Sequence, residues 1–114
     1  MDPQVSLLEQ DDLLSLKLRG DARVEAAALL LQQAAQADLQ KDVAVDWEEA
    51  EHVETSVFQV LLAIQKRLTQ HGRSLIVEKD NPHVRDCLQL AGLSDSFPVQ
   101  PAQALATSRG NNNA

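Results

Sequence analysis

Between Leu13 and Leu68 the apolar residues change from every second position to a helical repeat, return to alternation, and change again. In LLSLKLR, residues 13–19, Leu14, Leu16 and Leu18 face one way while Ser15, Lys17 and Arg19 face the other. That is the pattern of a strand buried on one side. Gly20 and Asp21 are expected to close it, with Asp21 as the N-cap of the helix that follows. ARVEAAALLLQQAAQADLQ then has helical spacing, with Val24, Ala28, Leu31 and Ala35 on one stripe and Glu25, Gln32 and Gln36 opposite. Alternation returns in DVAVDW, residues 42–47, where Val43, Val45 and Trp47 share a face.

A second helical stripe follows through Val57, Leu61, Ile64 and Leu68, widened by Phe58 and Leu62. Lys66 and Arg67 suit its C-terminal end, and His71-Gly72 should stop it. RSLIVE, residues 73–78, reads as an interior strand of the parallel type, and KDN as a turn. Pro82 opens a third helix in which Val84, Cys87, Leu88 and Ala91 share a face before Gly92. A weak strand at residues 5–8, ending in a turn at Asp11-Asp12, precedes all of this, and a short FPV stretch follows it. Two successive β-α-β units demand a largely parallel sheet with right-handed crossovers. The first two strands should pair antiparallel at one side. The expected class is therefore α/β: a mixed, mostly parallel sheet of four to five strands with helices mainly on one face. Residues 1–106 are expected to form one domain, and 107–114 (TSRGNNNA) a flexible polar tail.

Charge narrows the partners. The 114-residue chain carries a formal net charge of −7, with 17 acidic against 10 basic residues, and only three aromatics. Clustered cations for a phosphate backbone and stacking platforms for bases are both missing, so nucleic acid is not the expected partner. Anionic membrane surfaces are disfavoured for the same reason, and no apolar run approaches the roughly 20 residues that span a bilayer. A protein with a basic face suits this surface. The N-terminal stretch lacks the pattern of a secretion signal, and the expected location is cytoplasmic.

Enzyme chemistry finds no support in the spacing. His52, His71 and His83 are scattered, with no metal-ligand arrangement. His71 reads as a helix C-terminal cation and His83 as a surface residue. Cys87 is the single cysteine, set on an apolar helix face, and reads as core filler. No glycine-rich phosphate loop follows any strand. Neither a cofactor nor a metal is expected.

The start of the second helix is the exception. Thr55 and Ser56 lie where the acidic stretch from Asp46 to Glu54 meets the apolar helix. Ser56-x-x-Gln59 fits a capping box, and Thr55 fits an N-cap one position earlier. A hydroxyl there is also well placed for phosphorylation, because the helix dipole and free amides accommodate a phosphate. That group would add a charge of about −1.5 to −2 beside Asp46, Glu48, Glu49, Glu51 and Glu54.

Three stretches together resemble the STAS domain, the family named for sulfate transporters and anti-sigma factor antagonists. They are LKLRGDARVEAAALL, AVDWEEAEHVETSVFQVLLAIQKRLTQHGRSLIVE and NPHVRDCLQLAGLSDSFPV. The similarity covers about residues 4–105. In the antagonist branch the second helix opens on an Asp-Ser-Ser-Gly-like signature, whose first hydroxyl is phosphorylated by a partner serine kinase. On this chain the matching stretch is Glu54-Thr55-Ser56-Val57, and the resemblance implies Thr55 as phosphoacceptor, with Ser56 as second choice. Glu54 stands where aspartate is usual, Val57 where glycine is usual, and Arg23 near the place of an acidic residue. The resemblance implies a non-enzymatic, partner-switching regulator that binds a kinase or anti-sigma factor through Glu49, Glu51, His52, Glu54, Thr55, Ser56, Val57 and Phe58. The alternative it implies is a constitutive subunit docked on the ATPase of a lipid-transporting ABC system, with Val57 and Phe58 as an apolar anchor. Scaffolds in stressosome-like or chemotaxis-linked assemblies form the remainder.

Overall fold

The computed structural model describes residues 5–10, 12–37 and 41–100. The expected tail at 107–114 and Asp11 of the expected acidic turn lie outside the described residues. The elements run β1 (Val5–Gln10), β2 (Leu13–Ala22), α1 (Val24–Gln36), β3 (Asp42–Val53), α2 (Thr55–Gln70), β4 (Leu75–Lys79) and α3 (Pro82–Leu90), then a single 3-10 turn at Ser94–Ser96. The sheet order is β1-β2-β3-β4. β1 pairs antiparallel with β2, and the other pairings are parallel. Beyond β4 the FPV stretch adds a short rung. The Val77 amide donates to Pro98 O at 3.0 Å, and the Gln100 amide to Val77 O at 2.8 Å.

The core lies on one face of the sheet. Leu14, Leu16 and Leu18 of β2, Val43, Val45 and Trp47 of β3, and Leu75 and Val77 of β4 pack there against the helices. α2 contributes Val57, Phe58, Leu61, Ile64 and Leu68, and α3 contributes Val84 and Leu88. Trp47, Phe58 and Phe97 form its centre, with ring centroids 6.0–6.2 Å apart. The glycine stops act as expected. Gly72 and Gly92 have φ of 70° and 75°, and the amides that follow them, Arg73 and Leu93, close back on Leu68 O and Leu88 O.

Three expectations are corrected. First, β2 does not close at Gly20-Asp21. Gly20 takes φ 58° within a register shift, and the strand continues, Gly20 opposite Ala50 and Ala22 opposite Val53. Asp21 is consequently in the strand. The N-cap of α1 is Arg23, which makes no side-chain cap bond. Second, α1 buries Ala26, Ala27, Leu30 and Ala34, and the stripe of Val24, Ala28, Leu31 and Ala35 faces out. An alanine- and leucine-rich helix is apolar almost all round, so its period does not choose a face. Third, β3 does not end at Trp47. It runs on to Val53, so the acidic residues after Trp47 belong to the strand. Register shifts let Trp47, Ala50 and Val53 be buried at intervals of three, which hides the strand from a search for alternation.

Candidate functional site at the start of the second helix

The long end of β3 delivers the chain to α2. Its outer half extends past the last β4 pairing, which joins Asp46 to Lys79. Asn81 supplies what a neighbouring strand would have given. Its buried side-chain amide donates to Ala50 O at 2.6 Å and Glu48 O at 2.8 Å, with a longer approach of 3.5 Å to Trp47 O. Its Oδ1 accepts from the His83 amide at 2.7 Å and so caps α3. One side chain therefore fixes both β3 and α3 in front of Thr55.

Asp80 holds the same corner from the other side. It accepts from the Trp47 indole at 2.7 Å and pairs with Arg85 at 3.2 Å. Arg85 also donates to Ser94 O and Phe97 O. Burial pushes the Asp80 carboxyl up, but the Trp47 N–H, the Asn81 backbone N–H and Arg85 together hold it below its ordinary value of 3.8. A group depressed in the folded state contributes stability above its unfolded pKa and loses it as pH falls through the folded one. Asp80→Asn is accordingly expected to flatten the loss of stability below about pH 4. Urea midpoints between pH 2.5 and 6 check this, and parallel wild-type and variant curves would count against it.

Glu54 is the N-cap of α2, with no side-chain cap bond. Its amide donates to Ala22 O at 2.9 Å, tying the end of β2 to the helix start. Its carboxylate lies 3.6 Å from Arg23, which also reaches Asp21 at 3.5 Å. Thr55 is the first helical residue and is exposed; Ser56 is second. The expected capping box is thus absent: both hydroxyls lie inside the helix, Thr55 one position and Ser56 two positions past the N-cap. The Ser56 Oγ is buried without a hydrogen-bond partner. Ser56→Ala is expected to leave stability unchanged or raise it by about 0.5–1 kcal/mol, because an unsatisfied hydroxyl is removed. Chemical denaturation measures this, and a loss above that size would show that Ser56 has a structural partner.

Val57 and Phe58 are both 0% exposed. Their side chains form core, so the apolar anchor expected of them is not presented to a partner. The apolar surface beside Thr55 comes instead from α3. A hollow of about 260 Å³ is lined by His52, Val53, Glu54, Thr55, Cys87, Leu90 and Ala91. Leu90 stands at its rim, 90% exposed. Cys87 is half-buried, with Sγ 3.8 Å from His52 Nδ1, and is a wall of this hollow as well as core filler. Glu51 and His52 are exposed at the end of β3. Glu49 is drawn away: it pairs with Lys17 at 2.6 Å, and that bond with the lysine charge lowers its pKa. Sequence reasoning missed Asn81, Asp80, Arg85 and Leu90. Only Asn81, placed directly before Pro82, carried a local signal, that of a cap.

Among the described residues no group of three His, Cys, Asp or Glu side chains could hold a metal ion, and no helix is long and apolar enough to cross a membrane. What the site offers is an exposed hydroxyl at a helix start, flanked by an apolar rim and an acidic strand end.

Four strands in this order with three helices packed on one face form the fold of a STAS domain. The sequence matches the family described as "Mlab, STAS domain" over residues 5–101, and the chain belongs to it. No match was found among curated proteins. Among solved structures the fold is similar to the anti-sigma factor antagonist SpoIIAA in its unphosphorylated form. The TM-score is 0.76 at 18% identity, over 93% of this chain and 96% of that one. It is also similar to a putative anti-sigma factor antagonist from Thermotoga maritima, with TM-score 0.73 and 17% identity over 92% of each chain. Bacillus SpoIIAA in the phosphorylated form matches with TM-score 0.68 and 16% identity, over 92% of this chain and 97% of that one.

Proposed function

We propose that this protein is a non-enzymatic, cytoplasmic regulator that binds a protein partner through the start of α2 and is switched by phosphorylation of Thr55. The observation that carries this reading is the contrast between two adjacent hydroxyls. Thr55 is exposed on the first turn, whereas the Ser56 Oγ is buried and the next two side chains are locked in the core. Of the two, Thr55 is the one open to a kinase. The γ-phosphoryl group of ATP would pass to its Oγ1, the hydroxyl proton going to the kinase and ADP leaving. The resulting dianion would sit beside Glu54 and near Asp21 and change the face a partner meets, without disturbing the buried side of α2. The partner would be a serine kinase or an anti-sigma factor, as the resemblance to the antagonist branch implies.

A second reading, a subunit standing permanently on a transporter ATPase, is the alternative that the resemblance implies, and it suits a chain with Val57 where the antagonist signature usually has glycine. In that case Thr55 is a contact and is never modified. The two readings separate on one experiment. The protein is incubated with ATP and the cytosol of its own organism, and the phosphate is located by mass spectrometry. Phosphate on Thr55, lost in Thr55→Ala, is the expected result. An unmodified protein, recovered with a transporter ATPase, would replace the switch with the standing complex.

A further inference from the structure

Arg23 lies where β2 ends, and its guanidinium is shared between two carboxylates, Asp21 at 3.5 Å and Glu54 at 3.6 Å. Neither distance is that of a tight pair, and the Arg23 side chain is 55% exposed, so this is a loose bridge that another anion can win. The backbone brings it to the hydroxyl. Ala22 is paired with Val53, and the Glu54 amide is bonded to Ala22 O, so residue 23 lies beside residue 54, and Thr55 follows directly. We propose that Arg23 is the internal receptor for a phosphate on Thr55, releasing Glu54 to take the phosphate in its place.

This rests on the reading of Thr55 as a phosphorylated residue and adds how the mark is held and shown. A phosphate dianion presents three acceptor oxygens to the guanidinium fork and outcompetes a single carboxylate at similar range. The exchange is one of ion pairs only; no covalent bond changes. Before it, the corner shows a partner a hydroxyl and a Glu54 carboxylate screened by Arg23. After it, Arg23 is turned to the phosphate and Glu54 is bare. A single modification therefore alters two features of the surface, and the arginine keeps the phosphate close to the domain. The other charged or titratable groups at this corner are Asp21 on the end of β2, His52 at the end of β3, and Cys87 of α3 across the hollow.

The test does not need the natural kinase. Phosphothreonine is placed at position 55 during translation, in the wild-type background and with Arg23→Gln or Arg23→Lys, and the phosphate is titrated by phosphorus NMR. Its second ionisation is expected about half a pH unit lower with Arg23 than with glutamine, and in between with lysine, which keeps the charge but not the fork. The gap should narrow at high salt, as for any exposed pair. In the Arg23 protein itself the guanidinium nitrogen resonance should shift on phosphorylation, a readout that holds even if glutamine disturbs the helix start. Equal titration in all three proteins, with an unmoved Arg23 resonance, overturns the proposal. Failure of cytosolic kinases to modify Thr55 would instead remove the switch reading and leave this titration unchanged.

Discussion

Asn81→Ala is expected to cost about 3 kcal/mol and to lower the melting temperature by about 15 °C. The side chain is 8% exposed, and its amide nitrogen serves two carbonyls of β3 at normal hydrogen-bond lengths. Truncation strips those acceptors of their partner in a place β4 does not reach, at about 1 kcal/mol or more each. It also removes the cap of α3, for about 1 kcal/mol more. Asn81→Asp separates the two contributions. It keeps the acceptor for the His83 amide but puts a carboxylate against carbonyl oxygens, so it should be at least as destabilising as alanine. A variant with aspartate as stable as wild type would show that the cap matters and the strand bonds do not. The effect should also spread to function, because the outer half of β3 carries His52 and Glu54 to the helix start.

The second large effect is on binding. Thr55→Glu is expected to weaken the complex on the order of 100-fold, with the fold intact. Thr55 is exposed, so the longer side chain meets no core. In the complex, however, a side chain longer than threonine meets the partner at the centre of the contact, and its carboxylate must lose its water there, at a cost of several kcal/mol. At 1.4 kcal/mol per tenfold, two decades is a moderate estimate. Thr55→Ala removes a hydroxyl and should cost far less.

The parts of this protein that could be read from its sequence are those decided locally. Leu14, Leu16 and Leu18 alternate, and all three are buried. Val57, Leu61, Ile64 and Leu68 repeat at helical spacing, and all four face the core. Gly72 and Gly92 stop their helices through bonds a few residues long. The parts that could not be read depend on distant partners. Residues 48–53 are strand because β2 pairs with them through shifted registers and because Asn81, more than 30 positions later for Ala50 and Glu48, satisfies their carbonyls. The buried face of α1 follows from how the chain leaves β2, since an apolar helix does not declare its own orientation. At the site, the resemblance singled out Thr55 at the start of α2, and the structure leaves that residue exposed. The sequence placed Ser56 as a cap, and the resemblance offered Val57 and Phe58 to a partner although the helical stripe already carries both; all three are turned inward. Leu90 went unnoticed because a single leucine near a helix end carries no pattern, and only the packing of α3 against β3 sets it beside Thr55.

The central claim is that an exposed hydroxyl at the start of α2 decides whether a partner binds. The most direct measurement is calorimetric titration of the partner identified from cytosol into wild type, Thr55→Ala and Thr55→Glu, each first shown to melt at the same temperature. The account predicts binding for the first two and a loss on the order of 100-fold for the third. Equal affinity across all three would mean that the partner docks elsewhere on the domain and that Thr55 is an ordinary first-turn residue.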